Sequence, residues 1–152
     1  MNLLLILDCS AYSVDWLVIM AKLGPIGGRM LIIMDACHAG TIVADSMAED
    51  IKGLKEVITS CSYLHNTPST ISDFNFTSIL TEEMKRLGGR KEFNVSRLYQ
   101  NISTLYASIK SNVKALTGGD KLFTNPQLPL PSPVHFFLGG NELPESIILR
   151  PL

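Results

Sequence analysis

The chain has no run of about 18 apolar residues, the length that spans a bilayer; its longest apolar stretches are cut by Asp8, Lys22 or Arg29. A membrane is therefore not an expected partner. It also lacks an excess of either charge. Thirteen Lys and Arg face 14 Asp and Glu, for a net charge of −1, so there is no basic footprint for nucleic acid. Cysteine is scarce and odd in number, with only Cys9, Cys37 and Cys61. Three thiols make no disulfide framework, and they suit the reducing cytoplasm. The start, MNLLLILD, has no positive n-region and only five apolar residues before Asp8, too few for a signal peptide. Without secretion, the N-x-S/T triplets at Asn75, Asn94 and Asn101 are chance matches. Internal repeats and low-complexity segments are missing too.

What is present is apolar. Of 152 residues, 46% are hydrophobic and 18% charged, enough for one domain with a real core. Residues 1–12 form a lead segment in which NLLLIL reads as a short buried strand or disordered. Behind Ser13 as a possible N-cap, Val14, Leu17, Ile19 and Leu23 give a loose helical spacing, which GPIGG (24–28) stops. RMLIIMD (29–35) is continuous and apolar, as expected of a parallel strand covered on both faces. KEVITSCS (55–62) is a second strand. Phe76, Ile79, Leu80, Met84 and Leu87 mark a helix that Gly88 and Gly89 end. Val95, Leu98, Ile102, Leu105 and Ile109 mark another over 94–110, capped by Asn94. Residues 117–132 are a proline-rich loop. PVHFFLGG (133–140) reads as a last strand and SIILRPL (146–152) as a closing one. Strands alternating with helices predict an α/β domain with a mainly parallel sheet.

The unusual segment is LIIMDACHAGTIV (31–43), where a buried strand ends in an acid and a thiol. In open parallel sheets, reactive groups gather beyond the carboxyl ends of the strands, which places Asp35 and Cys37 on that edge. A free cysteine, with pKa ~8.5, is mostly protonated at neutral pH and works as a nucleophile beside a base. Gly40 and the turn at His38 would let backbone N–H groups approach a developing oxyanion. The plainer reading, a buried structural cysteine, suits Cys61 better. Two other chemistries do not fit. A cysteine phosphatase needs arginine six residues after its nucleophile, where this chain has Val43, and Cys37, His38, Cys61 and His65 have no standard zinc spacing.

The segment DACHAG resembles the D-x-C-x-x-G signature of caspase-like (peptidase C14) domains, in the branch of metacaspases, paracaspases and fungal caspase-domain proteins. VDW (14–16), KEVITSCS, TP with FNFTSILTEEM, FNVSRLYQNI, and SPVHFFLGG with SIILRPL resemble, in order, the later elements of that domain. The resemblance implies a caspase-haemoglobinase fold, mainly parallel with helices on both faces. It implies Cys37 as the nucleophile of a cysteine endopeptidase and Asp35 as the floor of a pocket for lysine or arginine, with a peptide or protein as partner. The second acidic pocket residue of metacaspases would fall near Tyr63, where no acid stands. Their catalytic histidine belongs to a His-Gly turn before the VDW-like helix, and residues 1–36 contain no histidine. The resemblance thus implies a partial domain over 1–152, truncated before that histidine and inactive alone. The alternative is a non-catalytic scaffold or regulator. No cofactor is implied; calcium serves some metacaspases, and no dense acidic cluster is visible here.

Overall fold

The computed structural model describes residues 2–8, 16–36, 51–61, 76–89, 92–116, 132–139 and 145–150; for 2–8, 17 and 110–116 it describes the backbone alone. In chain order the elements are β1 (Asn2–Asp8), α1 (Trp16–Leu23), β2 (Arg29–Asp35), β3 (Leu54–Thr59), α2 (Phe76–Gly88), β4 (Phe93–Asn94), α3 (Val95–Leu116), β5 (Val134–Leu138) and β6 (Ile148–Leu149). The main sheet has the order β1-β2-β3-β5, and β4 pairs with β6 in a separate ribbon. The α/β class expected from the sequence is present. The parallel character is only partial.

β1, β2 and β3 are parallel, whereas β5 runs antiparallel to β3, with Thr59 opposite Val134 and Lys55 opposite Leu138. The sheet is therefore mixed, not mainly parallel. The reason lies in helix number. One crossover helix returns the chain to the amino edge and gives a parallel strand. Among the described residues between β3 and β5 are two helices, α2 and α3, packed on one face. α2 starts at the carboxyl edge, where Thr77 meets Asp35, and α3 starts beside the β4–β6 ribbon, where the Val95 N–H bonds the Ile147 carbonyl. Two such passes end at the carboxyl edge, and β5 runs the other way from there.

Alternation along the strands divides the core in two. Met30, Ile32, Met34, Val57 and Leu138 pack with Trp16 and Met20 of α1. Leu31, Ile33 and Ile58 pack on the opposite face with Phe76, Ile79, Leu80 and Leu87 of α2 and Val95, Leu98 and Ile102 of α3. β2 is buried from both sides, which explains its unbroken apolar run. Burying each such side chain contributes roughly 1.5–3 kcal/mol. In α1 the inward positions belong to Trp16 and Met20, with Ile19 and Leu23 beside them; Val14 and Ser13 lie outside the described residues. In α3 the stripe turns after Ile102: Leu105 is 39% exposed, and Tyr99, Tyr106 and Ile109 pack inward. α3 is also longer than its spacing predicts, running six residues past 110. Its start is as expected, since the Arg97 N–H donates to Asn94 Oδ1 at 2.8 Å.

NLLLIL is a strand, in register with β2 from Asn2 opposite Arg29 to Asp8 opposite Asp35. It pairs the edge of β2 that would otherwise present free backbone groups. At the amino edge, Lys55 is fully buried. Its ammonium donates to the carbonyls of Ile26 at 2.5 Å and Lys52 at 2.6 Å, joining the GPIGG turn to the approach to β3. Burial lowers its pKa because desolvation disfavours the charged form. Gly53 (φ 71°) sits against Gly28 so closely that a Cβ there would strike the Gly28 backbone. Only glycine allows that approach. Among the described residues no helix is long and apolar enough to cross a membrane.

Candidate functional site

β2 ends at Asp35 between β1 and β3, so the acid stands at the carboxyl edge, inside the sheet rather than at its margin. In an open sheet this is where ligands bind. Asp35 follows Leu31 and Ile33 in the alternation and is therefore on the α2/α3 face. There the Thr77 hydroxyl, in the first turn of α2, donates to Asp35 Oδ2 at 2.5 Å. The bond fixes one carboxylate oxygen, and the positive end of the α2 dipole favours the negative charge. The register places Asp8, at the end of β1, directly beside Asp35. Two acids thus end neighbouring strands.

Tyr106, one turn beyond Ile102 on α3, packs over the same face. Its phenol pKa is pushed far up, first by burial and then by the negative charge of Asp35. Those causes put the ring near the carboxyl edge. For a phenol held protonated in the fold, the unfolded chain releases its proton near pH 10 and the folded chain does not. Native stability should therefore fall as pH rises above about 10. Comparing urea midpoints at pH 9 and pH 11 for the wild type and Tyr106→Phe measures this, and the decline should be smaller in Tyr106→Phe. An equal decline would mean that Tyr106 is not held protonated.

The exit of β3 meets the exit of β2 through side chains. Backbone pairing ends with Met34 opposite Thr59 and the Ser60 N–H bonded to the Met34 carbonyl. Beyond that, the Ala36 N–H donates to Ser60 Oγ at 3.2 Å. The Ala36 carbonyl accepts from the Ser60 hydroxyl at 3.3 Å and from the Cys61 thiol at 3.0 Å. Cys61 is completely buried, in keeping with a structural thiol.

His135 is on β5 opposite Ile58. Its Nε2 lies 2.7 Å from Glu56 Oε1, and its ring packs against Tyr99 and Phe137. Glu56 is fully buried and also accepts from the Ser146 hydroxyl at 2.6 Å and the Ile147 N–H at 2.7 Å. Ser146 Oγ in turn accepts the Ser96 N–H at 2.9 Å. This network ties the C-terminal segment and the start of α3 to the sheet. It is architectural, and it commits the imidazole.

Of the residues singled out from the sequence, the structure places Asp35 at the edge; Cys37, His38 and Gly40 lie outside the described residues, as do Cys9, Tyr63 and His65. Thr77, Tyr106, Ser60 and Asp8 were not singled out. Only the threonine opening a helix after a turn-rich stretch offered a local signal. Among the described residues no group of three His, Cys, Asp or Glu side chains could hold a metal ion. Comparison with protein-family models, curated proteins and solved structures finds no match.

Proposed function

We propose that this chain carries the nucleophile side of a caspase-like cysteine endopeptidase, with Cys37 as nucleophile and Asp35 reading a lysine or arginine before the scissile bond. The observation that carries the reading is the position of Asp35. It closes a buried central strand at the carboxyl edge, held by Thr77 at 2.5 Å, with Cys37 two residues on. In the reaction the Cys37 thiolate adds to the peptide carbonyl carbon. The tetrahedral adduct expels the amine, which takes up a proton, and leaves a thioester that water hydrolyses. His38 and Gly40, which follow the nucleophile in sequence, would supply backbone N–H groups to the oxyanion. The thiol proton needs an acceptor. Among the described residues no histidine is free for it, because His135 is committed to Glu56. That commitment favours a second reading, a caspase-fold module that binds a protein partner without cutting.

Hydrolysis of peptide amides ending in lysine or arginine separates the two readings. Turnover that disappears in Cys37→Ala supports the peptidase. A folded wild-type chain that turns over no more than Cys37→Ala supports the module.

A further inference from the structure

β1 has the sequence of an interior strand but stands at a margin of the sheet. Residues 3–7, LLLIL, are an unbroken apolar run, like that of β2, which is buried from both sides. Such runs belong to strands enclosed within a sheet. Among the described residues, however, the order is β1-β2-β3-β5, and no strand pairs the outer edge of β1. Successive residues of a strand direct their N–H and C=O groups to opposite sides, so every second residue of β1 presents both groups to that outer edge.

The backbone of β1 has none of the devices that keep an edge from pairing. It is seven residues long, without proline or lysine. Its register with β2 runs without a bulge from Asn2 opposite Arg29 to Asp8 opposite Asp35. The other margin of the sheet differs. β5 has only five residues; Pro133 precedes it, and Gly139, at φ 79°, follows it.

The sequence of β1 is also its own complement. Set antiparallel to a second copy about Leu5, it places Leu3 opposite Leu7, Leu4 opposite Ile6 and Leu5 opposite Leu5. The one charge of the strand, Asp8, then falls opposite the neutral Asn2 at either end. A parallel pairing in register would put Asp8 beside Asp8, and like charges directly opposite are destabilising. An antiparallel pair about a two-fold axis uses the outer edge of each copy and closes at two chains.

We propose that the outer edge of β1 pairs antiparallel with β1 of a second copy of this chain, joining the two four-stranded sheets into one continuous sheet. The shared strands run in opposite senses, so the two Asp35 edges face opposite ways and each copy keeps its own candidate site. The pairing does not depend on the peptidase reading.

Mass in solution and backbone amide exchange, followed together from low to high micromolar concentration, test this on the full chain. One strand per copy makes a small interface, so dilution should separate the copies. Mass should rise from one chain to two with concentration. Over the same range, the β1 amides that face away from β2 should slow about tenfold or more, while those of Ile32 and Ile33 hold. Leu4→Pro and Leu5→Pro supply the second arm. Adjacent residues direct their N–H groups to opposite edges, so one variant cuts the β1–β2 ladder and the other cuts only the outer edge. The variant that keeps the wild-type urea midpoint should dissociate at least about tenfold more readily, because each copy loses a hydrogen bond across the two-fold. A single chain at every concentration would overturn the proposal, whether the outward amides exchange freely or are protected within the monomer. So would a dimer whose outward β1 amides stay unprotected, or one that both proline variants leave intact.

Discussion

Glu56→Ala is expected to cost about 3–5 kcal/mol of folding stability, the scale of loss when the shared acceptor of a buried hydrogen-bond network is removed. The carboxylate is fully buried in the middle of β3. It is the shared acceptor for Ser146 Oγ, the Ile147 N–H and His135 Nε2. Truncation leaves these groups without that acceptor and opens a cavity, and each unsatisfied donor costs roughly 1–3 kcal/mol. Domains of this size have only about 5–15 kcal/mol in total, so the variant should lie near the edge of folding. Glu56→Gln keeps the shape but cannot accept at both positions, and its loss should be intermediate. Urea unfolding checks this through a lowered midpoint at constant slope. The amide of Val95, bonded to the Ile147 carbonyl, should lose protection first, since the C-terminal segment is what Glu56 holds. A loss under about 1 kcal/mol would show that the network is not what fixes that segment.

Asp35→Ala should reduce the preference for lysine over norleucine before the scissile bond by at least about tenfold, the effect of removing a charge-assisted contact. A point charge about 4 Å from a substrate ammonium is worth about 4 kcal/mol at an effective dielectric of 20, and partial exposure of Asp35 trims that figure. Asp35→Asn separates charge from shape. It retains an oxygen for the Thr77 hydroxyl and removes the negative charge, so preference should fall nearly as far as in Asp35→Ala. Thr77→Val does the reverse: the charge remains, its orientation loosens, and preference should fall only a few-fold. Competition between lysyl and norleucyl peptides for Cys37 gives the ratio directly. If Asp35→Ala lowers both rates equally, Asp35 anchors the start of α2 and does not read the substrate.

The elements were largely legible because burial writes a period into the sequence. β2, covered on both faces, reads as RMLIIMD to its last residue, and α2 shows its face in Phe76, Ile79, Leu80 and Leu87. The direction of β5 was not legible. It depends on the two helical passes that precede it, and residue pattern records a strand's burial but not its sense. The α3 stripe was read correctly at Ile109 but not at Leu105, because Tyr106, amphipathic and packed inward, fills the place that spacing alone assigned to Leu105. The two-residue strands β4 and β6 are too short to carry a period. At the candidate site, Asp35 could be read from its place after an apolar run. Thr77 and Tyr106 reach the site from 42 and 71 positions downstream in the numbering (77 − 35 and 106 − 35), and Ser60 and Glu56 act on segments far from them in sequence. Such partners are set by packing, and no local pattern announces them. Glu56 is the clearest case: within KEVITSCS it looks like a surface charge, and the fold buries it completely.

The central claim is that Cys37 is the reactive thiol of an edge that Asp35 makes selective for a basic side chain. Incubating the native chain with peptidyl chloromethyl ketones ending in lysine or norleucine, and mapping the modified cysteine by mass over time, tests it most directly. The thiolate displaces chloride, so a single adduct marks the residue that the bound peptide presents to the reagent. The account predicts modification at Cys37, faster for lysine than for norleucine by about tenfold or more, with Cys61 untouched in its fully buried position. Adducts appearing first on Cys9 or Cys61, or equal rates for the two ketones at Cys37, would contradict it.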